Sequence, residues 1–426
     1  MPESNAGNAA VKYTETSEVF RLGFSDFMNG IKDPKSLPAL CYAKIPGVGW
    51  RPHPATSTFH GFDVLPEPKS VGVPRAQSGN VENWYHSKYN QPSEVSTFYV
   101  RNAIVTAGSA RRPKSSPFYF AGEKIGFHDG AGCLLLPNKG VFEGSFSMQD
   151  GQRYLPSTYF SVEDGRLVRH LEPTIAARPQ RLLGTHYFLG NFLPHWGHFL
   201  LDGISRLWLL KLLDEDIRRQ MKFICFDVEF PNWAWALLEP FGINRENVIF
   251  SKQDISVENL IVPLDSYRTH LTANPLYQPV LNDIKDYYAP QAKPHRKIFL
   301  SRKFQQARQM ENESELEAFF SDLGFEIVVP EKQSVKEQVA LAAEASVLAG
   351  AAGSGMYLAG FQSPGTKSLF FGPRTFFLFD DFLLAALGAR HAGFVLGSSF
   401  DVENKLESKW HVNFDDSLKT YIRNFI

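Results

Sequence analysis

Residues 347–373 read VLAGAAGSGMYLAGFQSPGTKSLFFGP, and the fold turns on how this run divides. Val347, Leu348 and Ala349 close a short buried strand. Gly350, Gly353 and Gly355 follow as a turn almost bare of side chains. Met356, Leu358, Ala359 and Phe361 open a short helix, Pro364-Gly365 turns the chain, and Ser368 to Phe371 is a second apolar strand. A strand that empties through glycines into a helix start exposes backbone N–H groups and lets a ligand come close, so the turn suits an anion. It equally suits a crowded strand–helix corner where glycine only permits packing. The run is neither a dinucleotide fingerprint nor a P-loop: the third glycine is not at the required spacing and no Gly-Lys-Ser/Thr follows.

Working outward, the preceding chain repeats the same alternation. Lys297 to Leu300 (KIFL) is a strand. Asn312 with Glu315 has the form of a capping box, and Leu316, Phe319, Phe320 and Leu323 keep helical spacing up to Gly324. Phe325 to Val329 is a strand ended by Pro330. Ser334 with Glu337 is a second capping box, opening a helix that runs to about Ala345. Four strands with helices between them predict a parallel, doubly wound sheet. Phe376 to Leu387 is a last helix, and the amphipathic tail from Ser398 packs back on the body. Ser301-Arg302-Lys303 leaves the carboxyl end of the KIFL strand, the edge where such sheets bind ligands, and Arg308 follows before Asn312. Their guanidinium forks suit a diphosphate. The other reading is a pair of surface arginines beside Glu311 and Glu313.

An earlier stretch of strand–helix alternation starts after Arg181. Pro194 to Leu213 reads as one helix, with Trp196, Phe199, Leu200, Leu207 and Leu210 on one face and Leu201, Ile204 and Trp208 on another, so it is buried on more than one side. Within it His195, His198, Asp202 and Arg206 fall at i, i+3, i+7 and i+11, a narrow polar sector on an α-helix. Three readings stand. The sector is a cleft wall with a general base; or a satisfied His–Asp–Arg network that locks the helix; or a metal pair without a third ligand motif. Phe223 to Val228 is a strand, Asn232 to Phe241 a helix, and Val248 to Phe250 and Leu260 to Val262 are short strands. Asn274 to Pro294 is a linker plus an amphipathic helix.

The pattern divides the chain into an irregular extension (1–95), a β-rich subdomain (96–180), a first α/β lobe (181–290), a second (291–397) and a C-terminal segment (398–426). Trp50, His53, His60, Trp84 and Tyr85 lie in or beside the proline- and glycine-dense part of the extension, where they either stack on sugars or pin loops. At 43% hydrophobic over 426 residues the chain can bury more than one core. A formal net charge of −1 leaves no field to hold nucleic acid or an anionic membrane, so any anion needs a local site. Cys41, Cys133 and Cys225 are odd in number and far apart, which reads as reduced, buried thiols in a reducing compartment. No charged-then-apolar leader opens the chain, and the most apolar run, His198 to Leu213, is too short and charged to span a bilayer. A cytoplasmic protein without membrane insertion is expected, with a homo-oligomer left open.

The order HWGHFLLD…RLWLL, then IFLSRK…R…NESEL…GFEIVVPEKQSVKEQVALAAEASVLAGAAGSG, resembles glycosyltransferase family 61 over about Arg181 to Val395. The resemblance implies two Rossmann-like lobes in a GT-B-like arrangement, facing each other across a cleft. It also implies inverting transfer from a nucleotide sugar to a glycan or other hydroxyl acceptor. It places His198 and Asp202 as the catalytic pair on the first lobe, with His195 and Arg206 on the acceptor side. Arg302, Arg308, Gln338 and the Gly353, Ser354, Gly355 loop are placed on the donor, and Asn312-Glu313 match the family's Asn-Glu pair. The donor is expected to be a UDP- or GDP-sugar, with no resident cofactor and no metal. The branch implied is the bacterial one that builds capsular and other surface polysaccharides. The family usually carries His in the glycine loop where this chain has Ala352, and Ser354 replaces a small apolar residue. That departure keeps open a degenerate transferase that binds a glycan or a protein partner. A nucleotide-dependent oxidoreductase is disfavoured by the missing fingerprint.

Overall fold

The computed structural model describes residues 19–46, 57–60, 94–108, 118–120, 123–128, 131–136, 141–145, 147–149, 152–156, 160–163, 166–169, 179–269, 272–373, 379–398 and 408–426. Trp50, His53, Trp84, Tyr85 and the side chain of His60 lie outside them. The chain divides into two compact units, Met1–Gly47 with Glu94–Thr269, and Val48–Ser93 with His270–Ile426.

The second unit contains the opening run. Its sheet orders Glu326–Val328, Arg296–Leu300, Ala345–Ala351, Lys367–Pro373, His391–Gly397 and Ser57–His60, every neighbour parallel. The four expected strands are adjacent, and two more extend the sheet. Gly350 sits opposite both Leu300 and Phe370 in register. Phe299, Phe320 and Phe371 are fully buried against the sheet, with ring centroids 4.9 Å (Phe299–Phe320) and 5.8 Å (Phe320–Phe371) apart. Each such ring contributes roughly 1.5–3 kcal/mol.

Of the two expected capping boxes one forms. Ser334 Oγ accepts from Glu337 N at 3.3 Å, and the Glu337 carboxylate accepts from Ser334 N at 2.7 Å. Ser334→Ala is expected to cost about 1 kcal/mol, read as a lower urea midpoint at unchanged slope. Asn312 does not cap its helix. Its Nδ2 donates to Val412 O at 2.8 Å and its Oδ1 accepts from Val412 N at 3.0 Å, so the side chain is spent on the C-terminal segment. The helix Asp416–Phe425 buries Leu418 and Ile422, and Phe414 meets Phe319 edge-on at 5.0 Å. The helix Tyr277–Tyr288, expected with the first lobe, belongs to the second unit. Its buried Val280, Leu281 and Ile284 form one face, Leu281 lies against Gly360, and Gln278 Nε2 donates to Gly360 O at 3.2 Å. An amphipathic helix goes where its apolar face is covered, and sequence order does not decide which lobe covers it.

The first unit has a mixed sheet. Gln180–Gly190 runs parallel to Lys222–Phe226 on one side and to Ile255–Pro263 on the other, and Val248–Ser251 extends the parallel part. Beyond Ile255–Pro263 the sheet turns antiparallel with Glu94–Val105 and then Leu40–Pro46. The extension, expected to be irregular, thus supplies the Leu40–Pro46 strand, and the expected β-rich subdomain supplies most of Glu94–Val105. Cys41, Cys133 and Cys225 are all buried. Burial pushes the Cys41 thiol up to about 11 and the Cys225 thiol higher still.

The expected single helix from Pro194 is three short pieces. Trp196–His198 is α, Phe199–Gly203 widens to π, and Ile204–Leu212 tightens to 3-10. Phe192 lies where a Cβ on Gly203 would sit, and Ser205 Oγ donates to Asp202 O at 2.6 Å, both at the change of winding. The burial on more than one side is as expected: Leu200, Leu201, Ile204 and Leu207 are all fully buried. Among the described residues no helix is long and apolar enough to cross a membrane.

Candidate functional site

The Arg296–Leu300 strand ends in Ser301, fully buried, whose N–H donates to Val328 O at 2.8 Å. The next N–H, of Arg302, donates to a carboxylate oxygen of Glu313 at 2.5 Å. Glu313 is only 6% exposed, and burial raises its carboxyl above the ordinary range. This bond fixes the direction in which the Arg302 side chain leaves the sheet. Its Nη1 donates to Ala352 O at 2.8 Å, which ties the strand end to the glycine loop. Arg308 reaches the same loop from a left-handed backbone (φ 58), held from behind by Trp410 Nε1 donating to its carbonyl at 3.0 Å.

The glycines of the opening run have different reasons. At Gly350 a Cβ would meet Leu300 O and Met356 Sδ, each at 2.9 Å, so this glycine serves packing. Gly353 has φ +146, and its Cβ would lie 2.6 Å from Arg302 Nη1 and 3.3 Å from Arg308 Nη2. The backbone conformation favours glycine there, and a side chain would displace both guanidinium groups from the loop. At Gly355 a Cβ would meet no atom within 4 Å, so the loop is open on that side. Ser354 starts the 3-10 helix Ser354–Phe361 between them. The packing role falls on Gly350, and the close approach of the two guanidinium groups falls on Gly353, three residues on.

Electrostatics single out this corner. Burial, with Arg308 next in importance, pushes the Arg302 guanidinium down to about 10. Burial also lowers Arg308, while Tyr357 and the fully buried Asp381 act against that shift. Two half-buried like charges on one glycine gain most from a compact, multiply charged anion. Gln338 is placed at the start of the Val335–Glu344 helix, where its Nε2 donates to Gln333 O at 3.0 Å.

In the first unit His198 and Asp202 are joined through Nδ1 and Oδ2 at 3.0 Å, and the His195 ring lies 5.3 Å from that of His198. His195 is exposed, His198 is 8% exposed, and the Asp202 side chain is 18% exposed. The other Asp202 oxygen accepts from Thr269 N at 3.0 Å and from Thr269 Oγ1. Burial raises the Asp202 carboxyl, and the bonds from His198 and Thr269 act against the rise. Arg206 departs from the expected stripe. It is 4% exposed, its Nε donates to Asp265 at 2.7 Å and its Nη2 to Gly144 O at 2.9 Å. Gly190, at φ +85, leaves room for the guanidinium, which a Cβ would approach to 2.9 Å. The 3-10 winding after Gly203 turns this residue out of line with His198, and it serves as an internal strut. Arg206 thus bonds Asp265 and Gly144 in place of the expected His–Asp–Arg network, and its Nη1 meets no hydrogen-bond partner among the described residues, while His195, His198 and Asp202 form one polar line from surface to interior. Thr269 and Asp265 carry no motif and could not be picked out from the chain alone. Among the described residues no group of three or more His, Cys, Asp or Glu is placed to hold a metal ion.

Fold and site define a mixed α/β protein with a buried diarginine corner on a glycine loop and a separate histidine–aspartate pair. Residues 196–369 match the family model described as Glycosyltransferase 61. The matched segment includes His198, Asp202, Arg302, Arg308 and Gly353. No curated protein matches the chain.

Proposed function

We propose that the protein transfers a sugar from a nucleoside-diphosphate donor, UDP- or GDP-linked, to a hydroxyl of a glycan acceptor, with inversion. The observation that carries this reading is the seating of Arg302 and Arg308 against Gly353 in a segment that matches the family. In this reading the second unit holds the donor and the first the acceptor, in the family's GT-B-like arrangement. The two guanidinium groups neutralise the diphosphate as it becomes the leaving group, the role a metal ion plays elsewhere, so transfer is metal-independent. Asp202, held by Thr269, orients His198 through Nδ1. His198 then takes the proton of the acceptor hydroxyl, whose oxygen attacks the anomeric carbon from the face opposite the departing phosphate. One C–O bond forms, the glycosyl–phosphate bond breaks, and the nucleoside diphosphate leaves with the bonding pair. The buried cysteines fit a reducing cytoplasm, and the implied role is surface polysaccharide assembly.

A second reading is favoured by Ala352: a degenerate transferase that binds a glycan or partner without turnover. Arg302 donates to the backbone carbonyl of Ala352, which any residue at that position supplies, so what the alanine removes is a side chain facing the loop. Calorimetric titration with UDP, GDP and NAD, followed by incubation with sugar nucleotides, separates the possibilities. Binding of UDP or GDP with release of nucleoside diphosphate is the expected result. Binding without release supports the degenerate protein, and binding of NAD alone overturns both.

A further inference from the structure

We propose that the first unit carries a carbohydrate-binding cavity walled by Trp233 and Trp235, which receives neutral sugar rings of the acceptor. Its assignment to the acceptor rests on the transfer reading above; the cavity itself does not. The cavity has a volume of about 1070 Å³ and lies beyond the carboxyl ends of the Lys222–Phe226 and Val248–Ser251 strands. That is the edge where parallel sheets take ligands.

Two aromatic walls are held rigidly. Trp233 is packed edge-on by Trp196 at 5.5 Å and Phe199 at 5.2 Å. Trp235 is packed by Phe230, with centroids 5.0 Å apart, and Arg245 lies 5.0 Å over its ring while donating to Asn232 Oδ1 at 3.2 Å. The remaining charged lining is balanced: Asp227 and Glu229 against Arg245 and Lys252.

The balance selects the ligand class. A diphosphate would meet two carboxylates, and a wholly apolar ligand would strip water from four charges without replacing it. A sugar ring has hydroxyls that donate to the carboxylates and accept from Lys252 and Arg245. Its axial C–H groups lie flat against the electron-rich indole faces. Pro194, the residue before His195, also lines the cavity, and Trp196 contacts its wall, so a seated chain has one end at the histidine–aspartate line.

The test uses the full chain and three neutral probes, maltotriose, cellotriose and chitotriose. At least one is expected to bind by calorimetry and to shift the indole N–H resonances of Trp233 and Trp235. Trp235→Ala should lose about tenfold or more of that affinity. Because that change also removes packing, Asp227→Asn and Lys252→Gln are measured beside it and should each weaken binding several-fold. UDP affinity, read through the diarginine corner, should stay at the parent value in all three. No binding by any trisaccharide, or binding that all three variants leave unchanged, overturns the cavity assignment while UDP binding keeps the transfer reading. Trisaccharide binding lost in the variants, in a protein that binds neither UDP nor GDP, upholds the cavity and overturns the transfer reading instead.

Discussion

Arg302→Ala is expected to weaken UDP or GDP binding by about a hundredfold in calorimetric titration. The guanidinium is half-buried, is held by its own backbone bond to Glu313, and shares Gly353 with Arg308. Removing one partner of a buried, hydrogen-bonded charge pair costs roughly 2–5 kcal/mol, which sets that scale. Arg302→Lys keeps the charge but not the planar fork, and should recover only part of the loss. The pH dependence has a definite sign. Burial holds Arg302 down to about 10, and only its cation binds the diphosphate. Affinity should stay flat from neutral pH upward and fall as pH passes 10, by at most about tenfold per pH unit. Parent-like affinity in Arg302→Ala would remove the phosphate assignment from this corner.

Asp202→Asn is expected to cut release of nucleoside diphosphate by roughly 10³–10⁴-fold while leaving nucleotide affinity near the parent value. The reason lies in the proton on His198. Thr269 donates to one Asp202 oxygen, so an asparagine here keeps its carbonyl toward Thr269 and turns its NH₂ toward His198 Nδ1. His198 must then carry its proton on Nε2, where it cannot accept one from a hydroxyl. The fold should not suffer. Burial raises the Asp202 carboxyl, so the ionised form costs stability above the raised pKa, and that cost vanishes as pH falls below the ordinary carboxylate range. The neutral variant should therefore melt no lower than the parent at neutral pH. Unchanged turnover in a folded Asp202→Asn protein would take the pair out of the mechanism.

Much of the second unit was legible because its signals are local. The strand Lys297–Leu300 with its Ser-Arg exit, the Ser334–Glu337 box and the glycine run each state their geometry within a few residues. The parallel sheet follows from their alternation. Asn312–Glu315 carries the same local signal as Ser334–Glu337 and did not become a cap, because the C-terminal segment offered Asn312 two backbone bonds at once. Local chemistry proposes such a contact, and a distant segment can outbid it.

By itself, the sequence determined where strands and helices alternate in the second unit, that a glycine turn follows the Val347–Ala349 strand, and that two arginines follow the Lys297–Leu300 strand. It also determined that His198 and Asp202 lie close enough along the chain to pair. Only the tertiary structure decided which partners these groups take, including the seating of both arginines against Gly353. It put Arg206 on Asp265, gave Asp202 its Thr269, placed the Tyr277–Tyr288 helix in the second unit and opened the tryptophan cavity. Backbone geometry is set by neighbours in sequence, whereas burial and hydrogen-bond satisfaction depend on segments that are far apart in sequence and meet only once the chain is folded.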